Sequence, residues 1–184
     1  MYEPDAGIAI SFGVAALGTK TDIGEAVLDE IYDAHAGALY RYALSILGSR
    51  EDAEDAVQDV FARIAREVSR LKRVRSLKAY LFTAARNSAY SRLRERQRRE
   101  RDFDAVCIEI GSADRGEQAE SEALMSAFAE LPVDQREVLT LKVFEQMSLR
   151  EIARMTSASV NTVASRYRYG IARLRKALEA DENG

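Results

Sequence analysis

Apolar side chains recur at spacings of three and four along most of the chain, and strand-like alternation is absent. Over 25–47, Val27, Leu28, Ile31, Leu39, Tyr42, Ala43 and Ile46 predict a first helix. Gly48 ends it, and Ser49 caps a second with Asp52 at the capping-box position. That second helix, 51 to about 71, carries Ala53, Ala56, Val57, Val60, Phe61 and Ile64 inward. Ser76 caps a third that runs toward Arg101. Its first half is apolar and aromatic (Leu77, Tyr80, Leu81, Phe82, Tyr90), and its second half reads RLRERQRRER. Over 102–122 the periodicity is lost and acidic and small residues gather, the composition of a linker. A short helix follows over 121–131, and Pro132 with Asp134 opens a last module.

In that module Val138, Leu139, Leu141 and Val143 form one apolar face, and Ile152, Ala153 and Met155 the next. Ser148 with Glu151 three residues on is a capping box, and its helix runs out near Met155. Thr156, Ser157 and Ala158 make a tight connection to a helix capped by Ser159, which points Val163, Tyr167, Ile171, Leu174 and Leu178 inward. A short helix, a three-residue turn and a longer basic helix make a helix-turn-helix. Asn161, Thr162, Ser165, Arg166, Arg168 and Tyr169 lie on its outward face, where amide, hydroxyl and guanidinium groups suit base edges and phosphates. A plain bundle with a solvated polar face is the alternative; the order of cap, turn and basic helix favours DNA. The expected fold is all-α: two small helical domains, 25–101 and 122–180, joined by a flexible linker over 102–121. The C-terminal domain is the helix-turn-helix. Residues 1–24, with the apolar run GIAISFGVAALG, are expected to be a flexible extension.

The net charge of −3 argues against a nucleic-acid partner until its distribution is considered. Residues 25–69 carry −6, 70–101 carry +10, 102–134 carry −8 and 135–178 carry +6. Phosphates respond to local potential, so two basic blocks set between acidic ones suit nucleic acid. Basic residues after aromatics in the third helix fit melted or single-stranded DNA, rings taking bases and arginines taking phosphates; a solvated helix end is the alternative, disfavoured by so steep a charge excess. The acidic opening of the second helix complements its dipole, yet holds more acids than capping needs, so a basic protein partner stands as a rival explanation. The lone Cys107 allows no internal disulfide and suits a reducing compartment. With one histidine, His35, no histidine-rich metal site or Ser-His-Asp set can be assembled. No apolar run reaches the length of a membrane span. Neither a catalytic constellation nor a cofactor motif is present, so no enzyme activity, cofactor or metal is expected.

Taken in order, these segments resemble the extracytoplasmic-function (ECF, group IV) sigma factors, the two-domain specificity subunits of bacterial RNA polymerase. The resemblance covers about 25–178. EDAEDAVQDVFARI (51–64) is similar to the family's clamp-gripping segment, and SLKAYLFTAARNSAYSRLRERQRR (76–99) to its promoter-melting and −10-reading segment. LPVDQREVLTLKVFEQMSLREIA (131–153) and SVNTVASRYRYGIARLRKAL (159–178) resemble its −35-reading domain. The chain departs from the family in lacking its usual Trp, with Tyr80 in that place, and in Ser91 where an Asp is usual. Thr156-Ser157 also stands for Leu-Gly, and Ala164 for a Lys.

The resemblance implies a cytoplasmic initiation factor that binds core RNA polymerase and promoter DNA and is monomeric when free. Asp52, Glu54, Asp55 and Gln58 would dock on the polymerase clamp. Asn87, Tyr90, Arg92 and Arg94 would meet the −10 element, and Ser159, Asn161, Thr162, Ser165, Arg166 and Arg168 the −35 element. Such proteins often bind DNA poorly alone because their domains pack together, so an anti-sigma partner is also implied. The alternatives are a sigma-like decoy that titrates an anti-sigma factor, and a polymerase-independent helix-turn-helix regulator.

Overall fold

The computed structural model describes residues 22–67, 71, 74–100 and 118–181. Among them the chain forms helices α1 (Asp22–Leu47), α2 (Arg50–Arg66), α3 (Leu77–Glu100) and α4 (Gln118–Ala129). Helices α5 (Val133–Leu139), α6 (Leu149–Thr156) and α7 (Val160–Asp181) follow, with a π-helical turn, Thr140–Phe144, continuing α5. No strand occurs among the described residues. The expected extension, 1–24, falls outside them except for its last three residues, which begin α1. Most of the expected linker falls outside as well. Its last four residues, 118–121, belong to the first turn of α4, so the second helical unit begins earlier than its loss of periodicity suggested. The second helix ends at Arg66, short of the expected 71.

Helices α1, α2 and α3 pack as a trio. Leu39, Tyr42, Ile46 and Leu47 of α1 meet Val57, Val60, Phe61 and Ile64 of α2 and Leu81, Phe82 and Ala85 of α3, all nearly inaccessible to solvent. Tilted ring pairs Tyr32–Phe61 and Tyr42–Phe82, with centroids 4.8 and 5.3 Å apart, fill the aromatic part of this core. The caps lie where the sequence places them. Gly48 ends α1 at φ 65°. The Ser49 hydroxyl accepts the Asp52 N–H at 3.3 Å, and the Ser76 hydroxyl accepts that of Ala79 at 3.3 Å. A capping box, Ser148 with Glu151, starts α6, and the Ser159 hydroxyl accepts the Thr162 N–H at 3.0 Å to start α7.

A further expectation fails at the π turn. Val143, assigned to the apolar face with Val138, Leu139 and Leu141, is 49% exposed, and Phe144 is 63% exposed. The Glu145 N–H bonds the Thr140 carbonyl, five residues back, at 3.2 Å, so this turn holds one residue more than an α turn. Val143, four residues after Leu139, swings out with Phe144, whereas Glu145, four residues after the buried Leu141, points in and is 8% exposed.

The turn before α7 carries a local cost. Ser157 adopts the left-handed conformation, φ 55°, and its N–H and that of Ala158 return to the Ala153 carbonyl. Thr156 is buried and donates its hydroxyl to the Ile152 carbonyl at 2.8 Å, which satisfies the group that replaces an apolar one. Further on, Gly170 lets α7 approach α5 closely: a Cβ there would lie 2.8 Å from Leu139 Cδ1. Two substitutions should therefore move stability in opposite directions. Ser157→Gly is expected to raise it by about 0.5–1 kcal/mol, because glycine adopts this backbone without a steric penalty. Gly170→Val is expected to lower it by about 1–3 kcal/mol through overpacking against the buried Leu139. Urea unfolding of the full chain gives both values.

Candidate nucleic-acid and polymerase interface

Successive residues of an α-helix turn by about 100°, so each long helix here can be divided into strips. On α7 the inward strip is Val163, Tyr167 and Gly170, and the opposite strip holds Asn161, Thr162, Ser165, Arg168 and Tyr169. Asn161, Thr162, Arg168 and Tyr169 are exposed, with Arg173, Arg175 and Lys176 extending the basic surface toward the helix end. The hydroxyl of Ser159 is engaged in the cap and lies 2.8 Å from Thr162 Oγ1. The Ser165 hydroxyl donates to the Thr162 carbonyl at 2.9 Å. Arg166 falls between the two strips and reaches Asp134 at the start of α5. The structure thus gathers the sequence-predicted residues of this helix on one surface, except Arg166, which ties α7 to α5.

The basic helix α3 divides the same way. Asn87, Tyr90, Arg94 and Arg98 lie on one strip; Ser88, Arg92 and Arg96 lie on the other, against α2. Arg92 forks onto Asp55 at 2.9 Å and Asp59 at 2.8 Å, and the Ser88 hydroxyl donates to Asp59 at 3.0 Å. Arg96 donates to the Leu47 carbonyl at 3.1 Å and lies 3.5 Å from Asp52. These contacts split the acidic face of α2. Asp52, Asp55 and Asp59 answer the arginines of α3, whereas Glu51, Glu54 and Gln58 turn outward. Arg92 and the pair Asp52–Asp55, assigned to different partners from sequence, therefore contact each other's helices.

Tyr90 is half-buried and faces the second domain. Its hydroxyl donates to Glu137 Oε2 at 2.9 Å, while Arg86 Nε and the Tyr42 hydroxyl donate to Glu137 Oε1 at 2.8 and 2.7 Å. The Arg86 guanidinium stacks on the Tyr90 ring, 4.4 Å from its centroid. Glu137 is wholly buried, on α5. Burial first, and the Glu137 carboxylate second, push the hydroxyls of both Tyr42 and Tyr90 well above the ordinary phenol range. Nearby, Lys78 Nζ donates to the Glu145 carbonyl at 2.7 Å and lies 3.2 Å from its carboxylate, with Arg41 at 3.7 Å. Arg136 Nε donates to the Ser45 carbonyl at 2.8 Å, and its second bond, to the Ala129 carbonyl, ties it to α4 of its own domain. Burial, and then the neighbouring Arg96, lower the Arg136 pKa.

Sequence reasoning missed Glu137, Glu145, Arg86, Tyr42 and Arg98. A signal existed for the first two: they are acids at inward positions of a basic segment that holds only three acids over 135–178. Among the described residues no group of His, Cys, Asp and Glu could hold a metal ion, and no helix is long and apolar enough to cross a membrane.

Comparison with known proteins assigns the two halves. Residues 31–99 match the family model Sigma-70 region 2, and residues 121–174 match Sigma-70, region 4. The chain is 30% identical over 146 residues to the ECF RNA polymerase sigma factor EcfG of Rhodopseudomonas palustris, covering 78% of this chain and 81% of that protein. It is 29% identical over 167 residues to the ECF RNA polymerase sigma factor SigL of Mycobacterium tuberculosis, covering 84% and 90%. Among solved structures it resembles the sigma factor RpoE of Bartonella quintana in complex with the anti-sigma factor NepR. That match has a TM-score of 0.66 and 27% identity over 88% of this chain and 99% of that one. Two sigma-70 regions in order, a relative 30% identical over most of both chains and a shared two-domain fold lead to one conclusion: the chain belongs to the ECF RNA polymerase sigma factors.

Proposed function

We propose that this chain is a group IV sigma factor that binds core RNA polymerase in the cytoplasm and directs initiation at promoters with −10 and −35 elements. It is a non-enzymatic subunit; the polymerase carries out the chemistry. One observation carries the reading. A single chain presents Asn161, Thr162, Arg168 and Tyr169 on the outer strip of a helix-turn-helix, and Asn87, Arg94 and Arg98 on the outer strip of a second basic helix. The α7 strip enters the −35 major groove, Asn161 and Thr162 at base edges and Arg168 on the backbone. The α3 strip meets the −10 element, with Tyr90 joining it once its hydroxyl leaves Glu137. The outward strip of α2, Glu54 and Gln58, docks on the basic clamp, and Asp52 and Asp55 shape that surface through their arginines.

An anti-sigma partner follows from the likeness to RpoE, which is seen bound to NepR. A decoy would be expected to lose its basic strips, and both are kept. A polymerase-independent regulator leaves the three-helix first domain without a use. Pull-down of core polymerase, followed by transcription from promoters selected by the assembled holoenzyme, tests the assignment; a chain that neither binds core nor supports promoter-directed transcripts overturns it.

Three sets of variants probe the residues. Glu54→Lys with Gln58→Lys leaves the Asp55–Arg92 and Asp52–Arg96 contacts in place. Core polymerase should be lost at unchanged helical content, since like charges at an interface cost several kcal/mol; wild-type yield removes this strip from the interface.

Arg92→Gln is expected to act on stability. The loss should be about 1 kcal/mol, with about 0.5–1 kcal/mol of coupling to Asp59→Asn in a double-mutant cycle, as for partly exposed ion pairs. The salt dependence of DNA binding should hardly change; a loss of about one unit in salt slope would make Arg92 a phosphate contact after all.

In the holoenzyme, Asn161→Ala should alter which upstream sequences are preferred, at about 1–3 kcal/mol for a good bidentate base contact. Arg168→Ala should weaken all sequences alike and lower the salt slope by about one. Selection from a randomised duplex pool at two salt concentrations measures both, and an unchanged preference in the Asn161 variant would show that DNA shape is read there instead.

A further inference from the structure

The donors around Glu137 belong to one domain and the acceptor to the other. Tyr42 of α1 and Arg86 and Tyr90 of α3 place two hydroxyls and a guanidinium N–H within 2.9 Å of the two oxygens of a single carboxylate. Each donor has a support besides Glu137. Tyr42 is wedged against Phe82, Arg86 lies on the Tyr90 ring, and α3 is fixed to α2 by Arg92. What remains when α5 is taken away is a preformed concavity of converging donors with one positive charge. A backbone phosphate presents the same pair of anionic oxygens as the carboxylate, and Arg is well suited to either. Asn87, next in sequence, and Arg94, about 12 Å further along α3 at 1.5 Å per residue, continue the same strip. A strand laid along that strip passes directly over the concavity.

From this we infer that Tyr42, Arg86 and Tyr90 form a phosphate receptor for single-stranded promoter DNA, and that Glu137 fills it as an internal competitor while the two domains are closed. The inference rests on the reading that the outer strip of α3 faces promoter DNA, and it specifies where the strand is held and what keeps it out. Lys78 with Glu145, and Arg136 with the Ser45 carbonyl, keep α5 seated beside the receptor but contribute no group to it. In the closed chain the receptor and Asn87 cannot both engage one strand, because α5 covers the first. Removal of the negative charge weakens the competitor and leaves every donor in place.

The test compares the full-length wild type with Glu137→Gln and with the double variant Glu137→Gln, Arg86→Gln. Each is titrated against a fluorescein-labelled single-stranded DNA of mixed sequence, and its radius of gyration is measured by small-angle X-ray scattering. Apparent affinity scales with the fraction of molecules whose receptor is open, so Glu137→Gln should bind about 10-fold more tightly and be more expanded. Adding Arg86→Gln should return affinity to the wild-type level while the expansion persists. A Glu137→Gln protein of native helical content with unchanged affinity overturns the inference. So does a gain that survives Arg86→Gln, since it would then come from general exposure of basic surface. Should Glu137→Gln fail to fold, Glu137→Asp, whose shorter side chain cannot reach all three donors, carries the same expectations. Neither readout involves polymerase, so loss of promoter-directed transcription would sink the functional assignment and these measurements the receptor, each without the other.

Discussion

The arrangement of the two domains depends on a single buried carboxylate. Glu137 is wholly enclosed and accepts three hydrogen bonds from the opposite domain. A buried charge with good partners contributes little net stability, because desolvation offsets most of the attraction, yet removing a partner is costly. Such a contact therefore specifies geometry more than it adds adhesion. The same holds for Glu145 with Lys78 and for Arg136 with the Ser45 carbonyl. Apolar side chains of both domains, Val138, Leu141, Met147 and Ile152 among them, share one buried core around these contacts. The polar groups fix the register of that core, and each needs its partner or water in its place when the domains part.

Charge is used twice in the first domain. The arginines of α3 look from composition like one block for phosphates, and the acids of α2 like one block for a basic protein. In the fold each block is divided, and the inner halves meet: Arg92 with Asp55 and Asp59, Arg96 near Asp52. The outer halves, Arg94 and Arg98 on one helix and Glu54 and Gln58 on the other, remain for partners. This division reconciles a net charge of −3 with a nucleic-acid surface. It also sets the separation and angle between the outer acidic strip of α2 and the outer basic strip of α3, since the two helices are cross-linked by their own charges.

Local features were legible in the sequence because local rules produce them. Ser49, Ser76, Ser148 and Ser159 cap the helices they precede, and the helix-turn-helix follows from the box at Ser148 and Glu151 and the spacing of Val163 and Tyr167. Three things escaped. The π turn at Thr140–Phe144 changes the period within an otherwise α-helical pattern, so Val143 was placed inward by a rule that stops applying one turn earlier. Arg92 and Arg94 are indistinguishable by composition, and only the 100° step together with the position of α2 separates them. Glu137 was invisible as a functional group because its partners lie 47 to 95 residues away and no local signal links a buried acid to a distant tyrosine. Its inward register was readable; its meaning needed the fold.

The distance in sequence between Tyr42 and Glu137 has a consequence for synthesis. The ribosome completes the Tyr42–Phe82 core and all of α3 before it has made Glu137, which lies 37 positions beyond the end of that helix at Glu100. At about 5–20 residues per second, the first domain can assemble for roughly two to seven seconds before its future cover emerges. Contacts within the helical trio are closer in sequence and form faster than the junction can. Every newly made chain thus passes through a period with the Arg86 surface uncovered. A nascent molecule emerging near polymerase meets it in the state that the finished molecule must be opened to reach.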